Sequence, residues 1–118
     1  MYEILFYKTS SGKCHIEEFL DSLTSKQSQK VTWVLNLIEE LPSVPQKYFK
    51  KLVNTDGIWE VRVALGGDIF RLLEFIENGQ LVMLNHAFQK KTQKTPRQEI
   101  KIAEKRKRNY FKERESNE

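Results

Sequence analysis

The sequence predicts an α+β domain: a mostly antiparallel sheet, a helical hairpin on one face, and a basic helix at the C-terminus. Three observations lead there. A short aromatic strand is followed by two apolar stripes at helical spacing. Three strand-like runs come next, separated by Gly66-Gly67 and Asn78-Gly79, which tolerate the positive φ of tight hairpins. A capped, basic helical segment then follows, so the expected order is β-α-α-β-β-β-α.

Tyr2 to Tyr7 is aromatic and β-branched, the composition of a strand, and Ser10-Ser11-Gly12 breaks it. Ile16, Phe19, Leu20 and Leu23 fall on one face of a first helix. Thr24 and Gln27 have the spacing of a capping box and open a second, with Val31, Val34, Leu35, Ile38 and Leu41 as its stripe. Pro42 ends it, having no amide hydrogen to donate. Residues 42–57 read as a connector containing Lys47, Lys50 and Lys51. Strands are expected at 58–65, 69–76 and 81–88. Thr95, Pro96 and Gln98 form the start signal of the last helix, whose residues 113–118 are expected to fray.

The chain has 118 residues, enough for one domain, 1–118, and too few for two cores. No apolar run reaches the roughly 20 residues of a membrane helix, and the opening MYEILFYKTSSGK lacks a signal-peptide layout. No membrane role and a cytoplasmic location are therefore expected. One cysteine, Cys14, excludes an internal disulfide framework, and with two histidines it makes no convincing transition-metal site. No metal and no cofactor are expected.

The net charge of +4 is uneven. Residues 86–118 carry 11 basic and 5 acidic side chains, or +6; residues 1–85 carry 9 and 11, or −2. A basic third on a near-neutral body points to a polyanion or an acidic protein as partner. The Lys105-Arg106-Lys107-Arg108 run is either an RNA contact or a solvated helix face.

Two-residue loops fix hairpin register. With Gly66-Gly67 and Asn78-Gly79 as loops, Arg62 faces Arg71 and Arg71 faces His86, a row of three cations across adjacent strands; a first loop at Gly67-Asp68 would pair Arg62 with Leu73 instead. Glu60 shares that face. Val61, Val63, Phe70, Leu72, Met83 and Ala87 fall on the other, the floor for the helices, and Trp59 joins them opposite Glu74. Opposed arginines repel and weaken a sheet, whereas a guanidinium fork matches phosphate geometry. RNA brings its own nucleophile, the 2′-hydroxyl. A metal-free nuclease then needs proton transfer and cations for the phosphorane charge. Arg62, Arg71, Lys90 and Lys91 can supply charge and His86 can move a proton. Glu60, or a lysine whose pKa is lowered by crowding, is the candidate second proton carrier.

These residues resemble the RelE/ParE toxin superfamily, in its HigB-like, phage-derived branch. The matching text is Lys51-Leu52, Gly57-Ile58-Trp59-Glu60-Val61-Arg62, Phe70-Arg71, the segment from His86 to Pro96, then Glu99-Ile100 and Ala103. The resemblance implies a RelE-like fold and the toxin of a type II toxin–antitoxin module. It implies a metal-independent endonuclease cutting mRNA on the ribosome, and a cognate antitoxin, helix-turn-helix and HigA-like, that neutralises it. Operator DNA would be met only through the antitoxin complex. On this reading Arg62, Arg71, His86, Lys90 and Glu60 are catalytic. Lys51, Lys91, Lys94, Lys105, Arg106 and Arg108 contact RNA or phosphate. The alternatives are a ParE-type inhibitor of DNA gyrase and a non-catalytic nucleic-acid-binding domain.

Overall fold

The structure is a computed structural model describing residues 1–90 and 93–116, the side chain of Ser116 excepted. Among the described residues the elements run β1 (Glu3–Phe6), α1 (His15–Asp21), α2 (Ser25–Glu40), β2 (Phe49–Lys51), β3 (Trp59–Leu65), β4 (Asp68–Glu77), β5 (Leu81–Lys90) and α3 (Arg97–Ser116). The strands form one sheet in the order β1-β5-β4-β3-β2. β1 runs parallel to β5, and the other pairs are antiparallel. This is the expected α+β architecture, compatible with a RelE-like fold, with one strand added.

The added strand is β2, inside the segment expected to be a connector. Three residues are too few to show a period of two beside Pro42 and Pro45. Its anchor is Phe49, buried and stacked on Trp59 with ring centroids 4.9 Å apart.

One face of the sheet holds the main core. Ile16 of α1 and Val31, Val34, Leu35 and Ile38 of α2 pack on Val61, Val63, Phe70, Leu72, Val82 and Leu84. The stripes that predicted the helices are the surfaces they bury. Thr24 and Gln27 form the expected capping box. Leu41 follows as C-cap, with Pro42 next in line. At the outer edge of β1, the Ile4 amide donates to the carboxylate of Glu39 at 3.0 Å, which occupies a group that would otherwise invite another strand.

α3 covers part of the opposite face. Tyr7, Phe75 and Met83 pack against Tyr110 and Phe111, while Ile58 and Leu73 pack with Ala103. α3 runs to Ser116, and Arg114 pairs with Glu77 in its last turn. Asn117 and Glu118 lie outside the described residues.

The first hairpin has the expected register, Leu65 opposite Asp68 around Gly66-Gly67, with Gly66 at φ +63°. The second does not. Asn78 and Gly79 take positive φ, but Glu77 pairs with Leu81, leaving three residues in the turn. A bulge at Asn85 then moves the register once more between Leu73 and Glu74. Each one-residue slip flips side chains to the other face. Met83 lies between the two slips, so it belongs to the α3 face, not to the hairpin floor where it was expected. Beyond the bulge the two slips add to two, and the parity of the sequence reading returns.

Candidate functional site

The face opposite the helical hairpin is built by strand alternation. Arg62 on β3 stands directly opposite Arg71 on β4, as the first turn dictates. Lys50 on β2 stands opposite Glu60 on β3. Lys90, at the end of β5, stands opposite Ile69. Arg71 faces Phe88, and His86 faces Leu73. The expected row of Arg62, Arg71 and His86 is therefore broken. Two added residues, one at the turn and one at the bulge, carry His86 about 7 Å along the strand while leaving it on the same face.

Glu60 organises the cluster that remains. One carboxylate oxygen accepts from the Arg71 guanidinium and the other from the Thr95 hydroxyl. Glu60 is 1% exposed and Arg71 is 6% exposed, so this is a buried ion pair. The adjacent arginines are tolerable because one of them has this partner. Lys90, 7% exposed, donates from Nζ to the carbonyl of Gln93, so residues 93–95 cross the cluster at two points. Burial lowers the Lys90 pKa, and the charges of Arg71, Lys50 and Arg62 lower it further, against an opposing pull from Glu60. The crowded lysine expected from the sequence is this one. The open side of the cluster is formed by half-buried Arg62 and exposed Lys50.

His86 belongs to a second group. Its Nε2 meets the carboxylate of Glu99, and its Nδ1 lies 3.3 Å from the Arg106 guanidinium, both on α3. Arg106 donates to the Asn85 carbonyl at 2.6 Å, and the Asn85 amide donates to the Ala103 carbonyl at 3.2 Å. The bulge thus turns Asn85 and His86 together onto α3. With an arginine donor at Nδ1, the neutral ring places its proton on Nε2, toward Glu99. Burial lowers the His86 pKa and Arg106 adds to this, while the bond to Glu99 opposes both. A further set of bonds ties α3 to the loop before β3. The Asp56 amide donates to Glu104 at 2.8 Å, Lys107 donates to the Asp56 carbonyl at 2.8 Å, and Arg97 donates to the Asn54 carbonyl at 3.3 Å. Gly57 makes that loop possible: its φ is +68°, and a Cβ there would stand 2.9 Å from Lys107 Nζ.

Residues 18–108 match the family of phage-derived Gp49-like proteins (DUF891), well over half of the chain. The chain belongs to the Gp49-like family. This is a RelE-type, toxin-like family. A search of curated proteins finds no match.

In this Gp49-like chain the residues singled out from sequence separate into groups. Glu60, Arg62, Arg71 and Lys90 come together. His86 and Arg106 turn to each other beneath α3, where Arg106 also donates to the Asn85 carbonyl. Lys105 and Arg108 are exposed on α3, and Lys94 is exposed before it. Lys51 is exposed on β2, opposite Trp59 and out of phase with Lys50. Lys91 lies outside the described residues. Sequence reading missed Lys50, Thr95 and Glu99 as members of these groups. Lys50 was hidden because β2 was not recognised. Thr95 read as a helix cap, although its hydroxyl proton goes to Glu60. Among the described residues no three His, Cys, Asp or Glu side chains gather as a metal site needs. Among them, too, no helix is long and apolar enough to cross a membrane.

Proposed function

We propose that this Gp49-like chain is the toxin of a type II toxin–antitoxin module and cleaves ribosome-bound mRNA without a metal. The observation that carries this reading is a buried lysine of lowered pKa beside two opposed arginines on one sheet face. In the reaction the RNA 2′-oxygen attacks the adjacent phosphorus and the 5′-oxygen leaves. The products are a 2′,3′-cyclic phosphate and a free 5′-hydroxyl. Arg62 and Arg71 balance the charge of the phosphorane. Lys90 gives its proton to the departing 5′-oxygen, a task suited to an ammonium of lowered pKa. Glu60 holds Arg71 in place, and its contact with Thr95 ties the segment before α3 to the same carboxylate. The 2′-proton leaves to water at the half-exposed Arg62 end. His86 acts through α3 as a positioning residue. A helix-turn-helix, HigA-like antitoxin would neutralise the toxin, and the complex would meet operator DNA.

The test is purified chain mixed with programmed ribosomes, with cut positions mapped by primer extension. Cuts that need both ribosome and Arg71 support the proposal. No cuts from a folded wild-type chain reject it, and a DNA-damage response on induction would then favour gyrase as target. The burial of Arg71 and Lys90 favours a second reading, non-catalytic nucleic-acid binding through exposed Lys50, Lys105 and Arg108. RNA binding that depends on those three residues, without cleavage, would select it.

A further inference from the structure

Just before β2 begins, the outer side of β3 opens onto a hollow of about 220 Å³ lined by Lys30, Val34, Lys47, Tyr48, Arg62 and Ala64. Its three cations come from three places: α2, the segment before β2, and β3. No carboxylate lines it among the described residues. The two lysines are held by aromatic rings. Lys30 Nζ lies 4.4 Å from the centroid of the Trp33 ring and Lys47 Nζ 4.9 Å from that of Tyr48. The Trp33 and Tyr48 rings meet edge to face, with centroids 6.1 Å apart. Trp33 is 48% exposed, a large aromatic surface left to solvent on the outer side of α2, away from the buried Val31, Val34, Leu35 and Ile38.

Resting on the RNA-cleaving reading, we propose that this hollow is a second RNA subsite for a nucleotide flanking the scissile one. Its phosphate sits among Lys30, Lys47 and Arg62, and its base stacks against Trp33. Arg62 makes the link. It lines the hollow and also stands opposite Arg71, so one strand of RNA can pass from the cluster to the hollow without leaving positive charge. Three cations and, among the described residues, no carboxylate line the hollow, which suits the phosphate, and the base is left to the part-exposed Trp33 ring beside it. A groove of cations beside a part-exposed aromatic ring is how single-stranded nucleic acid is bound without regard to sequence. An acidic peptide would satisfy the cations, but it would not account for the shared arginine.

The experiment uses a short single-stranded oligonucleotide with every 2′-hydroxyl methylated, so that binding is read without cleavage. Trp59→Phe leaves Trp33 as the only tryptophan, and its emission is followed during titration. Quenching is expected. Trp33→Ala, followed by polarisation of labelled RNA, should weaken binding about tenfold or more. Lys30→Ala/Lys47→Ala should flatten the logarithmic salt dependence by about 0.7 for each lysine removed. If the Trp59→Phe chain fails to fold, quenching of the wild-type chain that disappears in Trp33→Phe gives the same answer. RNA binding that leaves Trp33 emission unchanged, or wild-type affinity in the double lysine variant, overturns the proposal. So does quenching by an acidic peptide where RNA gives none. These outcomes are independent of cleavage: a failure to cut message removes the nuclease reading and leaves the titration standing.

Discussion

Thr95 donates its hydroxyl to the same buried carboxylate, Glu60, that the Arg71 guanidinium grips, joining residues 35 positions apart in the chain. A buried charge that loses its partner cannot be re-solvated cheaply. Glu60→Ala should therefore destabilise the fold by about 3–5 kcal/mol, because Arg71 is left uncompensated. Glu60→Ala/Arg71→Met should recover part of that loss. Urea unfolding of the two single variants and the double variant gives the coupling. Additive effects would mean that the pair does not hold the sheet face together.

Lys90 is expected to separate charge from proton delivery. With its pKa lowered by burial and by Arg71, the ammonium is protonated below that pKa and lost above it. Cleavage should fall as pH rises through a value under the usual lysine range. Lys90→Arg keeps the positive charge but gives up its proton poorly. It should lose about 10²–10⁴ in rate, and the alkaline limb should disappear from its pH profile. An unchanged limb in Lys90→Arg would assign the acid elsewhere.

How far the sequence reached can be judged at single residues. Arg62 opposite Arg71 was legible with Gly66-Gly67 as the loop, although a loop at Gly67-Asp68 would have paired Arg62 with Leu73 instead. Trp59 opposite Glu74 follows from the same turn. Arg71 was expected opposite His86 but faces Phe88, because the turn at Asn78 gained a residue and Asn85 bulged. Neither insertion alters the alternation of apolar residues enough to announce itself. The bulge is stabilised by α3, through Asn85 and Ala103 and through Arg106 and the Asn85 carbonyl, contacts at 18 and 21 residues' separation. Local pattern does not contain them. The helices were legible because each buries the stripe that predicts it.

His86 should make the docking of α3 depend on pH. Its folded pKa is lowered by burial and by Arg106, with Glu99 opposing, so the unfolded chain binds its proton more readily. The stabilisation is complete above the ordinary histidine value of about 6.5 and declines as pH falls through the lowered one. His15, also lowered by burial and by Arg106, acts in the same direction. Between pH 7.5 and 5.5 the urea midpoint should drop, and His86→Gln should reduce the drop, with His15→Gln as the control for the second imidazole. Hydrogen exchange should rise in α3 at the lower pH in the wild-type chain. An equal drop in all three proteins would mean that His86 does not fasten the helix.

Glu74 gives the opposite sign of effect, from the other face of the sheet. It is 0% exposed, and among the described residues neither carboxyl oxygen has a hydrogen-bond partner. Burial, with Glu60 adding to it, raises its pKa well above the ordinary carboxyl value. The folded chain therefore holds a proton that the unfolded chain releases above about pH 4.5, and stability is lost as pH rises from there toward the folded pKa. Glu74→Leu removes both the unpaired oxygens and the titration. It should raise stability by about 1–3 kcal/mol at neutral pH. The gain should grow on the alkaline side and shrink toward pH 4.5, as measured by urea midpoints at several pH values. A destabilised Glu74→Leu would show that the carboxyl has a partner in solution, and a gain independent of pH would show that it does not titrate there.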